Sequence, residues 1–350
     1  MVKRLTFIKM KPTIKDIAKK AGVSIATVSF VINKTKPISA ETKNRVVRTI
    51  KSLNYQPSKS ARSLVIGKTW NIGFIFTDDH FLRTEPFYTR IFLGTEFEAR
   101  SEGYYILLTS ISSEFNEKDI LPRFILNKSV DGIIIAGKIP DNLIERMSYY
   151  KLPTVFVDYI PPTNGYPLVL IDNIQGGLLA TNHLINLGHK NIAFISGDID
   201  HPSFSDRLNG YKQALEYAKI PIKNNLIFTN TNYHGRQAGF NLAKKIFTSN
   251  KEVTAVFAGN DAMAIGVMHY LNKKGSKVPE DVSVIGFDDI EADLLLDPSL
   301  STIRVPKIEL GVEALKLLVN TLKNKESLPK KILVPVELII RESTSVFKSK

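Results

Sequence analysis

Residues 13–33 read TIKDIAKKAGVSIATVSFVIN, and this pattern predicts two short amphipathic helices joined by a glycine turn. Thr13 can cap the first helix, and Asp16 completes a capping box. Gly22 allows the tight turn, and Ser24 caps the second helix. The outer face of the second helix carries small and apolar residues: Ile25, Ala26, Thr27, Ser29 and Phe30. Such a face suits insertion into the major groove of DNA, as in a helix-turn-helix unit.

A third helix is expected at about 40–53, because Ser39 can cap it and Val46, Ile50 and Leu53 can close a small core. Residues 1–68 hold 16 Lys and Arg against 2 Asp and Glu, a net charge of +14. The remaining 282 residues carry a net charge of −1. Positive charge confined in this way indicates a nucleic-acid-binding module attached to a neutral body.

The segment after the third helix, 54–64, reads NYQPSKSARSL. Pro57 suits a helix start, but so short a helix is marginal in water on its own. We therefore expect it to fold only against its twin in a dimer or against DNA. Leu64 would then be an apolar wedge that opens a base step from the minor groove.

Composition excludes several classes of protein. No run of about 18 apolar residues occurs, so no membrane span is expected. The basic N-terminus lacks an apolar segment, which predicts a cytoplasmic protein without a secretory signal. The chain has no cysteine, which excludes disulfides and thiolate zinc sites. Its six histidines are scattered and no nucleophile–base set stands out, so we expect no enzyme, no cofactor and no metal site.

From Trp70 onward, short apolar runs alternate with helical stretches, which predicts parallel strands covered by helices on both faces. Candidate strands are Asn71–Phe76, Tyr105–Thr109, Gly132–Ala136, Thr154–Val157, Val169–Ile171, Ile192–Ser196, Ala255–Ala258 and Val282–Phe287. About 280 residues suit two doubly wound sheets rather than one. A ligand site is then expected at the carboxyl ends of the strands, in the cleft between two lobes.

Polar residues follow several of these strands, namely Asp158, Asn260, Asp261, Asp288 and Asp289. Arg207 lies just inside a predicted helix start. Carboxylates, an amide and a guanidinium can bind vicinal hydroxyls in a bidentate manner. Rings that can stack on a sugar face are Phe87, Tyr88, Tyr159 and Tyr233. Capping of a helix is the alternative role of these acids, and it stays open above all for Asp261 and Asp289.

The headpiece strings GVS..TVS..IN, NY.P and ARSL resemble the DNA-binding domain and hinge helix of the lactose repressor/galactose repressor (LacI/GalR) family. The resemblance continues with GHKNIAFISG at 188–197, DRLNGY at 206–211, GNDAMAIGVMHYL at 259–271 and VPEDVSVIGFDD at 278–289. It covers nearly the whole chain, in family order. It implies a three-helix helix-turn-helix headpiece with a hinge helix. A two-lobed α/β effector domain with doubly wound parallel sheets follows, of the type I periplasmic-binding-protein kind.

The domain boundaries expected from this resemblance are 1–56 for the DNA-binding domain, 57–68 for the hinge helix and linker, and 69–346 for effector binding and dimerisation. Within the last, the first lobe is expected at about 69–160 and 303–330. The second lobe is expected at about 161–300 and 331–342. The loop 77–88 is about four residues longer than the usual family loop, so its contacts stay open.

The candidate functional residues form two sets. Those for DNA binding are Thr13, Ser24, Ile25, Ala26, Thr27, Ser29, Phe30, Asn33, Ser39, Thr42, Tyr55, Ser58, Ala61 and Leu64. Those for effector binding are Phe87, Tyr88, Asp158, Arg207, Tyr233, Asn260 and Asp288. The resemblance implies the roles of Arg207, Asn260 and Asp288, since sugar-responsive members of the family use matching residues.

The expected function is a homodimeric repressor of sugar uptake or catabolism genes. It binds double-stranded DNA at a pseudo-palindromic operator, and a sugar in the cleft alters operator affinity by allostery. A nucleobase or nucleoside effector in the same family is the alternative. A sugar-binding transport protein and an α/β enzyme are disfavoured, the first by the basic headpiece and the second by the missing catalytic set. The individual effector, its role as inducer or corepressor, the operator, the target genes and any tetramer are left open.

Overall fold

The computed structural model describes residues 12–33, 36–55, 68–81, 87–229, 235–249, 252–324 and 329–348. The chain divides into two compact units, Met1–Trp70 and Asn71–Lys350. Nearly all of the expected hinge helix, with Leu64, lies outside the described residues, and so does the 82–86 part of the loop 77–88.

The first unit contains three helices in its described residues: α1 (Ile14–Ala21), α2 (Ile25–Asn33) and α3 (Ala40–Ser52). The capping box at Thr13 is present, and Gly22 has a φ of +64°, which a glycine adopts at little cost. The buried side chains of this unit come from all three helices: Ile17, Ala18, Ala21, Val28 and Val46. The apolar spacing therefore predicted this headpiece correctly.

The strands of the second unit are β1 (Asn71–Thr77), β2 (Tyr105–Ile111), β3 (Gly132–Ala136), β4 (Thr154–Val157), β5 (Leu168–Ile171), β6 (Ile192–Ser196), β7 (Ile227–Thr229), β8 (Ala255–Ala258), β9 (Ser283–Ile285), β10 (Thr302–Arg304), β11 (Lys331–Val334) and β12 (Glu337–Ile339). One parallel sheet has the order β11-β5-β4-β3-β1-β2, and the other has the order β7-β6-β8-β9. Strands β10 and β12 form an antiparallel ribbon.

The helices of the second unit are α4 (Asp78–Phe81), α5 (Phe87–Ser101), α6 (Arg123–Leu126), α7 (Asp141–Ser148), α8 (Asn173–Asn186), α9 (Pro202–Tyr217), α10 (Arg236–Ser249), α11 (Asp261–Lys274) and α12 (Lys307–Lys323). They alternate with the strands, and the central strands β3, β4, β6 and β8 are buried along their whole length. Parallel strands with near-continuous apolar runs form such doubly covered sheets. The predicted fold class is confirmed.

The sheets place two segments in a different lobe from the one expected. Residues 168–171 pair with β4, and residues 331–334 pair with β5, so both belong to the first sheet. The sequence had assigned 161–171 and 331–342 to the second lobe, and that assignment is corrected for 168–171 and 331–334. Conversely, β10 (302–304) pairs with β12, and residues 301 and 304 bridge to residues 285 and 288, beside the second sheet. The first lobe is therefore about 71–171 with 305–334, and the second is about 172–304 with 335–346.

Close helix packing in the second lobe fixes the position of α9. A Cβ atom on Gly177 would lie 2.4 Å from the carbonyl oxygen of Arg207, and one on Gly210 would lie 2.2 Å from that of Ile174. Only glycine at both positions lets α8 and α9 approach so closely. The backbone of Arg207 is thereby held against α8, at the edge where the strands of the sheet end.

Candidate functional site

The outer face of α2 carries the side chains predicted to contact DNA. Ile25 is 45% exposed and Ala26 is also exposed, while Thr27, Ser29 and Phe30 are half-buried. The opposite face holds Val28, which is fully buried in the headpiece core. The helix thus presents a surface of small polar and apolar groups, as the sequence predicted.

Several predicted DNA-contacting hydroxyls cap helices within the headpiece. The backbone N–H of Thr27 donates to Ser24 Oγ at 3.0 Å, and that of Thr42 donates to Ser39 Oγ at 3.3 Å. These caps leave the two helix N-termini well ordered, and a helix N-terminus favours a phosphate. A role in DNA binding would therefore come from the helix end as much as from the hydroxyl.

Phe30 has a neighbour that sequence reasoning did not foresee. The Lys36 ammonium lies 4.9 Å from the centre of the Phe30 ring, within the range of a cation–π contact. Tyr55 packs its ring against the headpiece core. Four further DNA-binding predictions lie outside the described residues, namely the Asn33 side chain, Ser58, Ala61 and Leu64.

Asp158 joins the two lobes of the second unit. It follows β4 in the first lobe with a φ of +55°, and it is 5% exposed. The Tyr88 hydroxyl, from α5 of the first lobe, donates to its carboxylate at 2.9 Å. The Ser203 hydroxyl, from α9 of the second lobe, donates to its other oxygen at 2.8 Å. The carboxylate therefore lies in the cleft, as predicted, with partners on both sides.

Arg207 is the buried cation of this cleft, with 4% of its surface exposed. Its Nε donates to Asn173 Oδ1 at 2.8 Å, and one terminal nitrogen donates to the Gly259 carbonyl at 2.5 Å. Its guanidinium carbon lies 3.6 Å from the centre of the Phe287 ring. The nearest carboxylate oxygen is Oδ1 of Asp288, at 3.7 Å. These contacts hold the guanidinium plane in one orientation.

Asp288 follows β9 in a left-handed conformation, with a φ of +123°. Burial raises the pKa of its carboxyl to about 7, while the Arg207 guanidinium opposes this rise. The Lys307 ammonium, at the start of α12, donates to the backbone carbonyls of both Asp288 and Asp289. Asp288 and Arg207 thus bring a carboxyl group and a guanidinium together at the cleft, and their role in effector binding stays a prediction.

The neighbouring acids Asp261 and Asp289 have structural partners other than the helix caps that the sequence left open for them. Asp289 accepts from Arg304 and from Arg341; burial opposes its ionisation, but these two hydrogen bonds keep its pKa below the usual range. Asp261 is fully buried and accepts from the Thr302 hydroxyl at 2.6 Å. Asn260 caps α11, with its Oδ1 accepting from the backbone N–H of Met263 at 2.8 Å.

The four aromatic residues predicted to stack on an effector lie in different surroundings. Phe87 lies edge-on to Tyr88 at 5.0 Å, and it lines a groove of about 770 Å³ together with Lys307. Tyr159 is buried, with its ring 6.3 Å from that of His201. Tyr233 lies outside the described residues.

Sequence reasoning missed five residues that surround the predicted ones: Asn173, His201, Ser203, Phe287 and Lys307. His201 and Ser203 begin the helix that carries Arg207, and His201 accepts from the backbone N–H of Ser203 at 3.2 Å. Burial lowers the pKa of His201, which favours a neutral ring. Their position just after β6, at the carboxyl edge of the sheet, was the available signal.

The cleft can therefore bind a small polar molecule. Asp158 and Asp288 supply carboxyl acceptors and Arg207 supplies a guanidinium donor, while the rings of Tyr88 and Tyr159 are buried. Across the described residues, no group of three or more His, Asp or Glu side chains could hold a metal ion. Nor is any helix in the described ranges long and apolar enough to cross a membrane.

Two family models match the chain, in the order that the fold requires. Residues 13–58 match the bacterial regulatory proteins of the lacI family, and residues 181–344 match a periplasmic binding protein-like domain. The first match spans the described headpiece helices. The second covers most of the second lobe and all of α12.

Known proteins resemble the chain over almost its whole length. The HTH-type transcriptional repressor PurR of Vibrio parahaemolyticus is 35% identical over 333 residues, which cover 95% of this chain and 98% of that protein. PurR of Histophilus somni is 36% identical over 337 residues, with the same coverage.

Solved structures share the fold. The lac repressor dimer bound to operator and the anti-inducer ONPF gives a TM-score of 0.76 at 25% identity, and the transcriptional regulator CelR–cellobiose complex gives 0.72 at 29%. Each covers 95% of this chain and is itself covered to 99%. A LacI family regulator from Enterococcus faecium with bound ribose gives 0.69 at 29% identity, covering 79% of this chain and all of that one. The chain belongs to the LacI family of DNA-binding bacterial transcriptional regulators.

Proposed function

We propose that this protein is a homodimeric, ligand-responsive repressor that binds a pseudo-palindromic operator and changes its operator affinity when a small effector enters the cleft. One observation carries the effector part of the proposal. The buried Asp158 carboxylate accepts from Tyr88 of the first lobe and from Ser203 of the second, and the Arg207–Asp288 pair lies in the second lobe at the same cleft. A ligand bound there contacts both lobes at once, so its binding depends on their relative position.

The effector class that we propose first is a nucleobase or nucleoside. The relatives named PurR align over 95% of this chain at 35–36% identity, a higher identity than that of the sugar-bound neighbours. The cleft also suits a flat heterocycle, because Tyr88, Tyr159 and His201 surround the Asp158 carboxylate and the Arg207 guanidinium is held in a fixed plane. A planar base can stack on a ring while its edge bonds to a carboxylate and a guanidinium.

A sugar is the second candidate, and the resemblance to the cellobiose-bound and ribose-bound regulators favours it. Asp158 and Asp288 supply two carboxylates, which can each accept from vicinal hydroxyls. Since both classes use the same polar groups, the effector must be identified by binding.

Calorimetric titration of the full-length protein with hypoxanthine, guanosine, ribose and cellobiose separates the two classes. A nucleobase effector predicts saturable binding of hypoxanthine or guanosine that Arg207→Met removes, and a shift in operator affinity measured by fluorescence anisotropy. Binding of ribose or cellobiose alone would select the sugar class instead. An operator complex that forms equally well on a half-site would contradict the dimeric, palindromic mode.

A further inference from the structure

A second pair of carboxyl groups lies behind Asp288. Asp261 is the first residue of α11, and Asp293 lies in the 3₁₀ turn Glu291–Leu295; both are fully buried. The backbone N–H of Ile290 donates to Asp261 Oδ2 at 3.2 Å and to Asp293 Oδ2 at 2.9 Å. Two carboxyl groups that converge on one N–H in a fully buried site cannot both be charged at little cost.

The residues around Asp261 and Asp293 limit the hydrogen bonds that the two carboxyl groups can make. A Cβ atom on Gly286 would lie 2.0 Å from Asp261 Oδ1, so glycine at this position leaves room for the carboxyl. Asp261 Oδ1 accepts from the Thr302 hydroxyl at 2.6 Å. Asp293 Oδ1, by contrast, is buried without a hydrogen-bond partner among the described residues. Within the part of the chain that the structure describes, this pair has fewer donors than two carboxylates require, which leaves room for one bound proton.

Charged groups from the adjoining segments face the pair without neutralising it. Arg341 lies 4.0 Å from Asp293 Oδ2, but its guanidinium also donates to Asp289 and to the Leu300 carbonyl. Lys307, on α12, is engaged by backbone carbonyls of Asp288 and Asp289. The Asp288 and Asp289 carboxyls add like charge nearby.

The pair is directly connected to the effector site through the backbone. Ile290, whose N–H both carboxyls accept, is two residues beyond Asp288. The segment from Asp288 to Ile290 contains two residues with a positive φ, which is +123° at Asp288 and +57° at Asp289. Such a turn persists only where its surroundings hold it. Release of the Ile290 N–H would therefore move the Asp288 carboxyl relative to Arg207.

We propose that Asp261 and Asp293 share one proton, and that this protonated pair positions Asp288 for the effector, so that effector binding is lost when the pH rises and the proton leaves to solvent. The inference rests on the proposed function of the cleft. Burial, and then the neighbouring Asp293, raise the pKa of Asp261 well above its usual range, and burial raises the pKa of Asp293 to about 6. Asp288 ionises near pH 7, and its carboxylate can then accept hydrogen bonds from effector donors. The loss of effector binding is therefore expected at a higher pH.

The decisive variant is Asp261→Asn, because an amide keeps the size, the donor and the neutrality of a protonated carboxyl. Asp261→Ala is its partner, since it removes the donor. Hypoxanthine and ribose are the two probes, titrated into the full-length protein at a series of rising pH values. We expect the affinity of the wild type for its probe to fall about tenfold for each pH unit above the pKa of Asp261. Asp261→Asn should change less than twofold over the same range.

Two measurements without a probe make the test independent of the effector. Hydrogen exchange of the peptide around Ile290, compared between variants at one pH, should show equal protection in wild type and Asp261→Asn and weaker protection in Asp261→Ala, where Asp293 alone accepts from the Ile290 N–H. The melting temperature of the wild type should fall as the pH rises from the ordinary carboxyl value of 3.8 towards the raised pKa of Asp261 and level off above it, and this part of the fall should be absent in Asp261→Asn. If neither probe binds, the proposed effector classes fail, while these two measurements still decide the shared proton.

A parallel pH dependence in wild type and Asp261→Asn would overturn the proposal. So would an Ile290 amide that is as well protected in Asp261→Ala as in the wild type, because the pair would then not hold the turn. A merely structural role predicts equal, pH-independent losses in both variants, which would also contradict it.

Discussion

Replacing Asp288 by asparagine should stabilise the effector unit while it weakens effector binding. The Asp288 side chain is 16% exposed, and burial raises its pKa from 3.8 to about 7. The folded state therefore holds a proton that the unfolded chain has already released at neutral pH. An amide of the same shape removes this cost, but it cannot accept from effector donors as a carboxylate does.

The expected gain in the free energy of unfolding follows from that change in the pKa of Asp288. A rise from 3.8 to about 7 corresponds to about 4 kcal/mol at pH values above both. Below pH 3.8 the carboxyl is neutral in both states, so the variant gains nothing there. As the pH rises, the unfolded carboxyl ionises first and the wild type loses stability until the pH passes about 7. At about 2 °C per kcal/mol for a unit of this size, the melting temperature of the variant should be about 8 °C higher at about pH 8.

Calorimetric unfolding of the full-length protein at about pH 4.5 and about pH 8 measures the difference. Asp200→Asn, an exposed residue in the loop before α9, is the matched control and should change little at either pH. The gain of Asp288→Asn should be small at the lower pH and large at the higher one. A variant that is less stable than the wild type at about pH 8 would refute the reasoning, because the carboxylate would then stabilise the fold by pairing with Arg207.

Three further outcomes are expected. Gly177→Ala should lower the free energy of unfolding by about 1–3 kcal/mol and weaken effector binding, because the added Cβ would lie 2.4 Å from the Arg207 carbonyl oxygen. Thermal unfolding measures the first effect and calorimetric titration the second. Unchanged stability and binding would contradict the close packing of the two helices. Lys36→Met should reduce the slope of log operator affinity against log salt concentration by about one. Phe30→Leu should leave that slope unchanged and weaken operator binding by about 0.5–1 kcal/mol. Fluorescence anisotropy in a series of salt concentrations distinguishes the two variants. Leu64→Ala should weaken specific binding by a few kcal/mol at most and spare non-specific binding, and a wild-type operator affinity in a gel shift would contradict the wedge.

The apolar pattern predicted most of the architecture, since each buried central strand is a run of Ile, Val and Phe that stands out from its neighbours. The eight predicted strands are confirmed, with small changes at their ends. The short strands β7, β10, β11 and β12 escaped detection, because they contain polar or exposed residues. Strand pattern also does not indicate which sheet a strand joins. The family resemblance assigned residues 168–171 and 331–334 to the second lobe, whereas their pairing places them in the first sheet.

The cleft was predictable where a simple rule of topology applies. Asp158 and Asp288 follow buried strands of parallel sheets, and the carboxyl ends of such strands meet at one edge. Ser203, Asn173 and Phe287 were not predicted, since their roles depend on how α8, α9 and β9 approach one another. The same limit applied to Asp261: its position after a strand resembles that of Asp158, but its complete burial beside Asp293 exists only in the folded chain.

Backbone conformation distinguishes the cleft acids more clearly than their sequence positions do. Asp158, Asp288 and Asp289 all have a positive φ, a conformation that costs an ordinary residue roughly 1–2 kcal/mol and that glycine adopts freely. Glycine at these three positions would relieve that backbone cost. A carboxyl group at each therefore contributes something that glycine cannot. The Asp289 carboxylate pairs with two arginines and so anchors the loop. The Asp158 and Asp288 carboxyl groups face the cleft, where an effector can reach both lobes.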